Sequence, residues 1–144
     1  MNNAVRPNRV RGFTLVEALV ALLALSIGLL GLAGLQLAGL RANMSASWRS
    51  QATYLAYDIL DRIRANRDRR TNYEIDVATV PTGTSTADTD LAAWKDHLSS
   101  TLPAGNGSVT VEGTDDTEIT VTVQWDDSRG KDKDPLVFTM RSRI

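Results

Sequence analysis

The chain has no cysteine among its 144 residues. That excludes a disulfide framework, a thiolate nucleophile and any cysteine-held zinc. Histidine is almost as scarce, with His97 alone. One imidazole cannot build a paired-histidine metal site, and no local motif joins it to a serine as a catalytic base. His97 sits beside Leu98 in a short helical pattern, where a structural or surface role suffices. Phosphate-cradling glycine motifs are missing, since Gly28, Gly31, Gly34 and Gly39 all fall in an apolar run. Aromatic residues are only 6% of the chain and are not interleaved with the basic residues for base stacking, so nucleic acid is not an expected partner. Four aspartates crowd one stretch: Asp126, Asp127, Asp132 and Asp134. Arg129, Lys131 and Lys133 alternate with them and the EF-hand order is absent, which reads as a self-neutralising loop. These absences argue for a chain that is not an enzyme and carries no metal or cofactor.

What is present is charge sorted along the chain. Residues 41–70 hold seven basic and three acidic side chains, whereas residues 71–144 hold six basic and thirteen acidic ones. A basic stalk and an acidic head can decide which surface meets a neighbour, although a solvated helix end and a soluble acidic domain give the same count.

The chain is organised around residues 11–17, Arg-Gly-Phe-Thr-Leu-Val-Glu, and the apolar run behind them. Ala18 to Leu35 is 18 residues interrupted by Ser26 alone, about the length that spans a bilayer as a helix. Glu17 is the anomaly. A carboxylate deep in a membrane segment costs about 2.5–3.5 kcal/mol on insertion scales, and such groups usually have a partner and a task. A cut between Gly12 and Phe13 would create a cationic amine at Phe13, one helical turn before Glu17. In a bundle of similar helices, that amine and the carboxylate of a neighbour would pin the packing register.

Residues Gly12 to Glu17 resemble the prepilin processing site: a basic leader ending in glycine, then Phe-Thr-Leu-x-Glu and an apolar helix. The resemblance implies a prepilin peptidase that cuts between Gly12 and Phe13 on the cytoplasmic face and N-methylates Phe13. Arg6, Arg9 and Arg11 keep the N-terminus cytoplasmic, so the C-terminus faces the periplasm. Met1–Gly12 lacks an apolar core and is not a secretory signal peptide. A small-residue cleavage site drawn near 42–46 is disfavoured, because the apolar run is too long for a signal h-region.

Beyond Leu40 the pattern becomes amphipathic. Met44, Trp48, Leu55, Ile59 and Ile63 recur at helical spacing between charged residues. No proline or glycine intervenes between Gly39 and Asn66, so one helix from about 13 to 66 is predicted. The glycines at 28, 31, 34 and 39 admit three readings: close helix approach with Ala24 and Ala38, a weak patch that unwinds in a filament, or plain tolerance in a membrane helix. Residues 67–90 have no clean period, and residues 81–86, Pro-Thr-Gly-Thr-Ser-Thr, read as loop. A short helix from about 90 to 102 is capped by Thr89-Asp90, carries Leu91, Trp94, Leu98 and Leu102, and ends at Pro103 and Gly105. Three strands follow: Ser108–Glu112 with Val109 and Val111 on one face; Glu118–Trp125 with Ile119, Val121, Val123 and Trp125 inward; and a third alternating at Leu136, Phe138 and Met140. Such a sheet needs a helix against its apolar face, and the second half of the long helix is the candidate.

The expected class is α+β: the long helix packed on an antiparallel sheet of three or four strands, with the short helix added. The expected divisions are a cleaved leader (1–12), a transmembrane and assembly half-helix (13–40), a periplasmic half-helix (41–66) and a globular head (67–144). Residues 25–36, 50–52, 57–66, 91–94 and 123–127 resemble the PilV group of minor pilins, with the type IV pilin-like fold. That resemblance implies a subunit that waits in the inner membrane and then joins a pilus on the cell surface. It would prime assembly or form part of the tip, with roles in twitching motility and cell adhesion. Its partners would be the prepilin peptidase, other minor pilins, the major pilin and a tip adhesin, with Glu17 as the assembly residue. Missing cysteines fit a minor pilin better than a shaft subunit with a disulfide-closed loop. A minor pseudopilin of type II secretion shares this architecture, and an uncleaved single-pass periplasmic binding domain is the alternative from another class.

Overall fold

The structure is a computed structural model that describes residues 13–112, 117–127 and 134–144. Residues 1–12, 113–116 and 128–133 lie outside the described residues, and with them Gly12 of the expected cleavage site and Arg129, Lys131, Asp132 and Lys133 of the expected self-neutralising loop. Helix α1 runs Leu15–Ala65, 51 residues without a break at Gly28, Gly31, Gly34 or Gly39. A 3₁₀ segment, Arg67–Tyr73, follows it. Helix α2 is Thr86–Thr101, and the strands are β1 (Asn106–Glu112), β2 (Glu118–Trp125) and β3 (Leu136–Arg143). The backbone divides into two compact units at Ala42/Asn43.

In the first unit the apolar side chains of α1, Leu15 through Leu40, are exposed. By length and composition α1 is able to cross a membrane.

The second unit, Asn43–Ile144, has a core of its own. Its sheet is antiparallel in the order β1-β2-β3. β2 lies in the middle, and its inward row of Ile119, Val121, Val123 and Trp125 is buried. On β3 the inward residues Leu136, Phe138 and Met140 are half-buried, as befits an edge. The predicted faces of β2 and β3 are those observed.

From α1 the core takes Ala52, Ala56, Ile59, Leu60 and Ile63, while Trp48 and Leu55 pack at its margin. The predicted stripe is displaced at its start: Met44 is exposed, and two alanines hold the centre. Alanines leave room where larger side chains from other elements must enter, above all Trp94. Its ring is fully buried and its indole Nε1–H donates to the Leu55 carbonyl at 2.9 Å. That bond satisfies the polar atom of the Trp94 ring, which burial would otherwise strand. Gly107 belongs to the same arrangement. A Cβ there would lie 2.6 Å from Trp94 Cη2 and 2.7 Å from the Thr122 carbonyl, so only glycine lets β1 close over the ring.

Two boundaries differ from expectation. The short helix begins at Thr86, four residues before the expected start near 90, because Ser85 is its N-cap. Ser85 accepts from the Asp88 amide at 3.2 Å and Asp88 accepts from the Ser85 amide at 3.1 Å, a full capping box. Ala87, one turn before Leu91, then joins the buried face. Strand β1 likewise begins at Asn106, ahead of the expected Ser108. Asn-Gly reads as a turn in isolation, but here it pairs with Gln124 and Val123 of β2.

Candidate assembly site

Thr14 precedes the first helical residue and acts as the N-cap of α1. Its Oγ1 accepts from the Glu17 amide at 3.3 Å, and its carbonyl accepts from the Ala18 amide at 3.2 Å. Residues 14–17, Thr-x-x-Glu ahead of an apolar run, form the capping-box pattern. The expected site residues Phe13 and Glu17 therefore bracket a helix start. Glu17 lies in the first helical turn, where the unsatisfied amides favour a carboxylate. Phe13 is 73% exposed and Glu17 is exposed too. Among the described residues no cation pairs with Glu17, so its charge is available to a group from outside the described chain. Gly12, the other half of the expected cleavage site, lies outside the described residues.

Thr14 is the residue that the sequence reading missed. Its signal was present, a hydroxyl three positions before a glutamate at the start of a periodic run.

A second polar cluster ties the second unit together. Arg62 reaches Asp58 one turn back at 3.1 Å and Asp90 of α2 at 3.2 Å. Asp90 also accepts from the Tyr73 hydroxyl at 2.7 Å, and the Asn66 side-chain amide donates to that hydroxyl at 3.3 Å. Asp90 thus joins α1, the 3₁₀ segment and α2. Hydrogen bonding to Asp58 is the main influence that raises the Arg62 pKa, with burial opposing it. Burial, then the Asp90 bond, raises that of the Tyr73 phenol. Nearby, the Lys95 ammonium donates to the carbonyls of Asp76, Val77 and Thr79 at 2.9, 3.0 and 2.5 Å, and burial lowers its pKa. These groups are mutually satisfied, and their arrangement fastens loops rather than presenting a reactive centre.

His97 lies exposed on α2, apart from any second imidazole. Asp127 accepts a hydrogen bond from Ser45 of α1 at 2.7 Å, which anchors the chain just after β2. Among the described residues no cluster of three or more histidine, cysteine, aspartate or glutamate side chains is placed to hold a metal ion.

A capped apolar helix with an acid in its first turn, continuing into a helix stripe covered by a small antiparallel sheet and a short helix, defines the type IV pilin fold. The comparisons with known proteins agree with that class. Residues 34–98 match the family model described as Type IV pilin Tt1218. Residues 7–33 match the model of the prokaryotic N-terminal methylation motif. The chain therefore carries a type IV pilin domain behind a prepilin N-methylation motif, and the motif and apolar helix together point to membrane anchoring. No curated protein and no solved structure matches the chain.

Proposed function

We propose that this chain is a PilV-like minor pilin of a type IV pilus. Prepilin peptidase cuts between Gly12 and Phe13 and methylates the new Phe13 amine. The processed subunit is held in the inner membrane with its C-terminus in the periplasm. From there it enters a complex with other minor pilins and the major pilin that primes assembly or forms the tip, where it meets a tip adhesin. Pairing of Glu17 with the Phe13 amine of a neighbouring subunit sets the register of the helices.

The observation that carries this reading is Glu17, an exposed carboxylate in the first turn of an apolar helix, within the matched methylation motif. Its insertion cost is offset when a fixed cation meets it in a low-dielectric bundle.

N-terminal sequencing and intact mass of the protein from cells that contain the peptidase test the first step. The expected product begins at Phe13 and carries one added methyl group; an intact Met1 supports the uncleaved anchor instead. Deleting the gene separates the pilus from the type II pseudopilus: loss of twitching supports the former, loss of exoprotein release the latter.

A further inference from the structure

The two edges of the sheet in the second unit differ: one is bridged at a single residue, and the other pairs with nothing among the described residues. Along the outer edge of β1, Ile75 and Val109 exchange two backbone hydrogen bonds of 2.9 Å. β3 has no counterpart among the described residues, where it is the last strand in the order β1-β2-β3. Its register shows which groups are left over. Past the end of β3, Ile144 donates to the Thr117 carbonyl at 2.9 Å, continuing the pairing of Glu118 with Arg143. Bonding alternates along an antiparallel strand, so the even-numbered residues of β3 face β2. Val137, Thr139, Arg141 and Arg143 therefore turn their amides and carbonyls to the free edge.

Two further features describe what fits there. Leu136, Phe138 and Met140 form an apolar row on the inward face that the chain covers only in part. Another strand beside them would extend that row and bury it. On the opposite face β3 presents Arg141 and Arg143, and the strand holds no acid. The Arg141 side chain is 66% exposed and, among the described residues, forms an ion pair with Glu118 alone, at 3.5 Å. Charges of one sign on an edge repel strands of the same sign, including a second copy of β3, and admit strands of the opposite sign.

We propose that the free edge of β3 is a docking site for an extended acidic segment of another protein. That segment adds as a fourth strand, with its alternate apolar residues beside Leu136, Phe138 and Met140 and its carboxylates opposite Arg141 and Arg143. Backbone pairing supplies affinity, and the arginines select the partner. The inference concerns the second unit alone and does not depend on where the N-terminus is cut.

The test uses the full chain in detergent micelles and a seven-residue peptide that alternates valine with glutamate and threonine. A control peptide has lysine in place of glutamate. Amide hydrogen exchange read by NMR is expected to slow at least tenfold at Val137, Thr139, Arg141 and Arg143 when the acidic peptide is added. The lysine peptide should bind at least tenfold more weakly. Thr139→Pro removes an outward amide that β2 does not use, so it should abolish binding with the unfolding midpoint near that of the parent. Should that variant unfold, Arg141→Glu combined with Arg143→Glu gives the second reading, a preference reversed toward the lysine peptide. Equal binding of the two peptides overturns the proposal, as does protection confined to amides outside β3. Concentration-dependent protection of β3 without peptide overturns it as well, by making a second copy the occupant.

Discussion

The two parts of α1 share a backbone geometry and differ in everything that holds it. Up to Leu40 the apolar side chains are exposed all round, and after Asn43 one stripe is buried beneath a sheet and a second helix. In the first part, helical hydrogen bonding satisfies the backbone wherever water is excluded, so composition alone sustains the helix in an apolar medium. In the second, the helix depends on the fit of Ala52, Ala56, Ile59, Leu60 and Ile63 to their cover. A substitution should therefore be felt in one part and pass unnoticed in the other.

Substitutions in the cover of the second part should have the largest effect. Trp94→Ala removes the largest fully buried side chain and its bond to Leu55, and should destabilise this unit by about 3–5 kcal/mol. Circular dichroism should then show the sheet melting early, while helix signal from the apolar part survives in detergent. Loss of both signals together would break the contrast.

Tyr73→Phe is next, at about 1.5–3 kcal/mol, since a buried hydroxyl is removed from a carboxylate that still needs donors. It also carries a pH signature. The folded chain holds the Tyr73 proton more tightly than the unfolded chain, whose phenol titrates near 10.0. This contribution is complete below that pH and is lost as pH rises through the higher folded value. Chemical denaturation at increasing alkaline pH should show a decline in the parent that is shallower in Tyr73→Phe.

Thr14→Ala acts in the first part. Loss of the cap should weaken the helix start by about 1 kcal/mol, read as faster exchange of the Glu17 and Ala18 amides in micelles. The melting of the second part should not move. Glu17→Ala should leave that melting within about 0.5 kcal/mol of the parent, because an exposed side chain carries little folding energy. The same substitution should abolish incorporation into pili, counted on the cell surface by electron microscopy. Wild-type pilus numbers would remove the pairing role from Glu17.

The sequence was most legible where one physical pattern dominated. Hydropathy over residues 18–35 and the unbroken period to Ala65 announced α1. Strict alternation over Glu118–Trp125 announced β2, because the central strand has one face wholly in the core. Legibility fell where small or polar residues carried the structure. Ala52 and Ala56 pack at the centre, but an alanine is not marked as core by its own character. Ser85 falls in a stretch that reads as loop and Thr14 inside the expected helix, and each caps a helix because its hydroxyl accepts from the amide three residues on. Asp90 reads locally as part of a helix cap, whereas its partners Arg62 and Tyr73 lie 28 and 17 residues away along the chain. No local pattern announces contacts of that range.

Lys95 has a consequence of its own. Its three bonds to the carbonyls of residues 76–79 do for that turn what a captured calcium ion does for comparable turns elsewhere, but the cation is covalently tethered. The turn should hold its form in strong chelators and in ion-poor water alike. Acylation of one amine, rather than any swing in mineral supply, is the chemistry able to undo it.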